Sequence, residues 1–133
     1  MKNSGGCHCG AVQYEVDGEA VYHALCHCQS CRASSGAPMV AWFCVQEDQL
    51  RVISGELAQF EGTPGAQRQF CPRCGTGLFY RNAKVLPGLV DVQSATFDDA
   101  NAAVPAIQVQ CAERLAWIAS LDAMEQFERY PAP

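Results

Sequence analysis

Positive charge is scarce in this sequence: nine Lys and Arg stand against fourteen Asp and Glu, for a net charge of −5. A surface with so few cations has no stripe to follow a phosphate backbone and no pull toward an anionic bilayer. Nucleic acid and membrane are therefore set aside as partners. Long apolar runs are missing as well. No stretch approaches the ~20 residues of a membrane-spanning helix, and the opening Met1-Lys2-Asn3-Ser4-Gly5-Gly6 lacks the apolar segment of a secretory signal. There is no long 3.6-residue apolar face, no low-complexity tract, no linker, and no repeat outside the cysteine groups. A reducing, cytoplasmic setting is expected. The 133 residues, 49% apolar and 17% charged, read as one compact domain over 1–133.

What the chain has in quantity is cysteine. Seven of its nine fall into three short runs: Cys7-His8-Cys9, Cys26-His27-Cys28-Gln29-Ser30-Cys31 and Cys71-Pro72-Arg73-Cys74. An odd count without a signal segment argues against a disulfide scaffold. A thioredoxin-like redox pair would sit at a strand-to-helix junction, whereas Cys71-Pro72-Arg73-Cys74-Gly75 runs into another strand-like segment, Leu78-Phe79-Tyr80. Zinc coordination fits better, because structural zinc takes four thiolates at about 2.3 Å from two short-spaced pairs.

The apolar pattern is that of an all-β sheet or barrel. Ala11–Val16 alternates between glycines, 20–25 resembles its neighbour, and the nearly continuous apolar run 38–45 reads as a strand buried on both faces. Segments 50–54, 57–61 and 66–70 read as a meander separated by Gly55 and by Gly62-Thr63-Pro64-Gly65. Segments 77–81, 89–96 and 106–111 complete about nine strands. Short helical turns are expected at 28–34, 98–102 and 113–120.

On extended backbone, residues i and i+2 share a side, so Cys7 and Cys9 can meet one metal while His8 faces away. Cys71 and Cys74 carry the knuckle spacing, with Gly75 free to adopt a left-handed turn. Together they make a closed four-thiolate set whose binding energy contributes to folding. Cys26, Cys28 and Cys31 converge by the same spacing but supply only three ligands. Three protein ligands with an open fourth position is the pattern of a catalytic zinc. Two alternatives stay open: a fourth ligand from Cys44, Cys111, His23 or His27, and an oxidised pair within the triplet. Cys44 and Cys111 lie in apolar strands and read as core, as do Trp42, Phe43, Phe79 and Tyr80, while His27 reads as a structural histidine.

These motifs, in order, resemble a known family. Gly5-Gly6-Cys7-His8-Cys9-Gly10-Ala11-Val12, then Cys26 to Arg32 ahead of Gly36-Ala37, then Phe70-Cys71-Pro72-Arg73-Cys74-Gly75-Thr76 are similar to the glutathione-dependent formaldehyde-activating enzyme family, which includes centromere protein V. Gly88 to Asp99, Trp117 and Phe127-Glu128 extend the likeness over almost the whole chain. The resemblance implies a mainly β fold, a β-tent of small antiparallel sheets. It implies a structural zinc at Cys7, Cys9, Cys71 and Cys74 and a catalytic zinc at Cys26, Cys28 and Cys31. The implied activity is carbon–sulfur lyase chemistry, the reversible joining of formaldehyde to glutathione as S-hydroxymethylglutathione.

Elementary chemistry points the same way. A thiol ionises near pH 8.5 and adds to a carbonyl as its thiolate, which a metal with an open position can generate. Three anionic sulfur ligands weaken the Lewis acidity of that metal, so the site suits holding a thiolate better than activating water. Two other classes compete. One is a non-catalytic zinc-binding or metal-sensing module. The other is a reductase of the methionine sulfoxide kind, which would need an exposed, acidic cysteine outside the metal sites. The sequence leaves the thiol, the aldehyde and the oligomeric state open.

Overall fold

The computed structural model describes residues 1–131. Ten strands appear among them: β1 (Lys2–Gly6), β2 (Gln13–Asp17), β3 (Tyr22–Cys26), β4 (Val40–Gln46), β5 (Leu50–Ser54), β6 (Ala58–Glu61), β7 (Gln67–Phe70), β8 (Gly77–Arg81), β9 (Leu89–Gln93) and β10 (Ile107–Val109). One α-helix, α1 (Gln29–Ser35), follows β3. Its N-cap is Cys28, whose sulfur accepts from the Cys31 amide, and it ends at Gly36 in a left-handed conformation (φ 69°). The mainly β expectation, with tent-like open sheets, holds.

The strands form two sheets. The smaller has the order β1-β2-β5 and is antiparallel. The larger runs β10-β3-β4-β9-β8-β7-β6, antiparallel except where β10 lies parallel to β3. The core sits between them. Tyr14 and Val16 from β2 pack with Phe43, Val45, Phe79, Val90 and Val92 from the larger sheet, and Phe97 closes the cluster. Tyr14 meets Phe79 edge-on at 5.2 Å between ring centroids, and Phe43 meets Phe97 the same way at 5.3 Å. The Tyr14 hydroxyl donates to Thr96 Oγ1 at 2.6 Å, so its buried oxygen is satisfied where the sheets meet. Gly5 is required at that junction: a Cβ there would lie 2.6 Å from the Tyr14 ring and from the Thr96 carbonyl.

Several expectations need correction. β1 was not foreseen, because Lys-Asn-Ser-Gly-Gly has neither alternation nor strand propensity and is held only by pairing with β2. The meander over 50–70 is split: β5 pairs with β2 in the small sheet, while β6 and β7 form a hairpin on the large one. Segment 98–102 is a turn rather than a helix. Segment 113–120 becomes two 3-10 helices, Cys111–Glu113 and Ala116–Ala123, interrupted at Arg114 and Leu115. Cys111 is exposed instead of buried, since β10 stops at Val109 and the chain turns outward through Gln110 in a left-handed conformation (φ 55°). No described helix is long and apolar enough to cross a membrane.

Candidate metal centre

The four sulfurs of Cys7, Cys9, Cys71 and Cys74 lie within 4.8 Å of one another. Two separations, 3.6 Å between Cys7 and Cys9 and 3.8 Å between Cys9 and Cys71, match the edge of about 3.8 Å for a sulfur tetrahedron around an ion at 2.3 Å. The donor set therefore fits a zinc-sized, thiolate-loving ion. Cys7 and Cys9 reach it differently from the expected extended strand. They flank a tight turn after β1, in which the Gly10 amide donates to the Cys7 carbonyl at 3.1 Å and Gly10 takes φ 81°. Gly75 is left-handed, as the knuckle spacing predicted (φ 82°), and its amide donates to the Cys71 carbonyl at 2.8 Å. The Val12 amide donates to Cys7 Sγ at 3.2 Å. The Thr76 hydroxyl and amide hold the Cys74 thiol well below the usual thiol range, down to about 5. The set joins the end of β1 in one sheet to the β7–β8 turn of the other.

Cys26, Cys28 and Cys31 also converge within 4.8 Å, at the end of β3 and the start of α1. No fourth sulfur, imidazole or carboxylate joins this group among the described residues. His23, one of the four alternatives, bonds Ser94 Oγ at 2.7 Å and packs edge-on against Phe43. His27 is fully buried, with Nε2 donating to Gln108 Oε1 at 2.7 Å and Nδ1 left without a hydrogen-bond partner. Cys44 is fully buried, and burial pushes its thiol up to about 12. The hydrogen bond from Cys26, then that from Cys28, with Arg68 and Trp42 beyond them, holds the Cys31 thiol well below the usual range. The Cys26 thiol is pushed up in turn by its hydrogen bond to Cys31 and by burial, since two thiolates so close would repel.

The triplet borders a cavity of about 210 Å³ whose wall was invisible in the sequence. Strand register builds it. Tyr22 on β3 lies opposite Cys44 on β4, Cys44 opposite Asp91 on β9, Asp91 opposite Tyr80 on β8, and Tyr80 opposite Arg68 on β7. These five form one lateral row on the face that carries the triplet. Trp42 is buried against Cys26, Cys31 and Val40, as its reading as core expects, and together with half-buried Tyr80 it also lines this cavity; Phe43 and Phe79 point to the core as expected. Arg68 Nη2 donates to Ser30 Oγ at 2.9 Å and stands 3.8 Å from Cys31 Sγ, with the guanidinium over the Tyr80 ring at 5.0 Å. Ser30, Trp42 and Arg68 also border a second cavity of about 530 Å³, which continues toward Gly75 and Gly77.

Residues 2–113 match the glutathione-dependent formaldehyde-activating enzyme family. The chain belongs to that family. Among similar proteins, an uncharacterized lyase of Schizosaccharomyces pombe is 30% identical over 82 residues, 60% of this chain and 59% of its own length. A putative glutathione-dependent formaldehyde-activating enzyme of Halomonas elongata is 31% identical over 87 residues, 59% of this chain and 55% of its own. The chain thus spans little more than half the length of these curated relatives. A crystal structure of a Rhodobacter sphaeroides protein superposes with a TM-score of 0.63 at 28% identity, covering 82% of this chain and 100% of that one.

Proposed function

We propose that this member of the family is a cytoplasmic zinc-dependent carbon–sulfur lyase acting as one domain, which joins and releases a small thiol and an aldehyde. Glutathione and formaldehyde are the pair that the family description and the Halomonas relative's name indicate. The observation that carries this reading is the open triplet: three converging sulfurs beside a cavity that holds polar groups in its wall and shares Ser30, Trp42 and Arg68 with a larger one.

In this reading Cys7, Cys9, Cys71 and Cys74 hold a structural zinc, and Cys26, Cys28 and Cys31 hold the second. Zinc bound by the triplet would supply a fourth position at which an incoming thiol is kept as its thiolate near neutral pH. The chain's own residues do the rest. Arg68 brings a positive charge to a site where anionic sulfurs accumulate, offsetting the repulsion a further thiolate would meet. Trp42 and Tyr80 close two walls against water. The larger cavity lies within the 300–1,000 Å³ range of small-ligand sites, and Ser30 and Arg68 in its wall also border the triplet's cavity, so a tripeptide held there lies beside the site. Nine cysteines with no disulfide among them suit a reducing compartment.

A purely structural second site is the main competitor. A closed staple has no need of a cavity on its open side, nor of Arg68 beside one of its sulfurs. The reductase reading gains an exposed thiol in Cys111, but among the described residues no cationic or acidic side chain hydrogen-bonds that sulfur. Exchange NMR on zinc-loaded protein with ¹³C-formaldehyde and glutathione tests the proposal. Hydroxymethyl exchange is expected to run faster than the spontaneous reaction; exchange at the spontaneous rate, with both zincs present, would contradict it.

A further inference from the structure

We propose that Asp91 is the proton carrier of the triplet site, giving its proton to the aldehyde oxygen as the carbon–sulfur bond forms and taking it back as the bond breaks. This rests on the lyase reading above and adds to it a residue that no cysteine spacing reveals.

The geometry is specific. Asp91 sits mid-strand on β9, only 5% exposed, in a position where aspartate is disfavoured and stability would prefer an apolar side chain. Its carboxyl nonetheless lines the same cavity as Cys26, Cys28 and Cys31. No lysine or arginine pairs with it among the described residues. Its support is the Tyr22 hydroxyl, which lies 3.0 Å from Oδ1 and 3.2 Å from Oδ2. The Cys44 thiol is its other hydrogen-bond partner, so both of its donors are neutral and the buried carboxylate is left a strong proton acceptor. Burial pushes the carboxyl up to about 6, close to where a general acid and base must titrate. The titratable and charged groups around it are Tyr22 from β3, Cys44 from β4, Tyr80 from β8 and Arg68 from β7. Across the cavity stand Cys26, Cys28 and Cys31.

The step balances without another reactant. As a thiol binds, its proton passes to the Asp91 carboxylate. The thiolate lone pair then forms the C–S bond while the carbonyl π bond breaks onto oxygen, and that oxygen takes the proton from Asp91. Thiol plus aldehyde becomes a hydroxyalkyl thioether, and Asp91 returns to its starting state. Cleavage is the reverse. Tyr22 is the positioning residue that aims the carboxyl.

Asp91→Asn keeps the volume and an acceptor for Tyr22. The zinc-loaded variant is expected to hold the same metal content and the same KM for glutathione while kcat for hydroxymethyl exchange falls about 100-fold or more. Formate is expected to restore part of the rate in Asp91→Ala. A variant that keeps the wild-type rate overturns the inference alone, whereas a wild-type protein that binds no thiol overturns the lyase reading and the inference together. Infrared spectroscopy of the wild-type protein gives a readout free of any variant's folding. A band from a protonated buried carboxyl, assigned by ¹³C-aspartate labelling, is expected when glutathione alone binds and is lost when formaldehyde is added. Its absence throughout the pH range of activity overturns the proposal.

Discussion

The two cysteine clusters use the same ligand atom and sit in one small protein, yet their surroundings differ in every respect that decides a role. The first gathers four sulfurs across the seam between two sheets, the full ligand count of a tetrahedral ion. The second stops at three sulfurs, at the junction of one strand and one short helix, and faces a cavity with a guanidinium and a buried acid in its wall. Ligand type therefore says that metal can bind. The count of ligands, and what fills the space where a fourth would stand, says what the metal is for.

The sharpest way to break that contrast is to remove one sulfur from each cluster. Cys74→Ala opens the closed set, and the binding energy lost is on the order of 10 kcal/mol, comparable to the whole stability of a small domain. The variant is expected to give no cooperative unfolding transition by calorimetry or circular dichroism; an unchanged melting curve would remove the structural role. Cys28→Ser should behave oppositely. It is expected to keep the melting profile and one equivalent of zinc, lose the second equivalent, and lose hydroxymethyl exchange. Should it unfold as Cys74→Ala does, the triplet is a second staple and the contrast disappears.

A smaller effect probes the cavity wall. Arg68→Gln removes the charge beside Cys31 while keeping a donor for Ser30. Loss of one charge-assisted contact is worth about 1–2 kcal/mol, so glutathione affinity measured by calorimetry is expected to fall roughly tenfold with little change in zinc content. Equal affinity in the variant would mean that the guanidinium serves only to order α1 and Tyr80.

How much of this could be read beforehand follows the range of the forces involved. The cysteine runs were legible because ligand spacing is local: Cys71 and Cys74 meet through one tight turn, and Gly75 adopts the left-handed conformation that its place in the knuckle demands. Alternation in Ala11–Val16 and the apolar run ending near Val45 likewise marked β2 and β4. β1 was not legible, because its Gly-rich chain becomes a strand only through β2 and through the close approach of Gly5 to Tyr14. The row from Tyr22 to Arg68 was hidden for a stronger reason. Its five residues come from five strands and meet only when the register of the larger sheet is set, so no window of sequence contains two of them in a telling arrangement. Cys111 was misread because β10 ends at Val109 and the left-handed Gln110 turns the chain outward before it.

The central claim is that the triplet keeps a ligand position for an external thiol, and zinc-edge X-ray absorption with and without glutathione tests it most directly. With both clusters loaded, four sulfurs from one and three from the other give a mean of seven sulfurs and one lighter atom per pair of zincs. Glutathione is expected to move that mean toward eight sulfurs, and Cys28→Ser to abolish the change. A spectrum that glutathione leaves untouched in protein carrying both metals would contradict the claim.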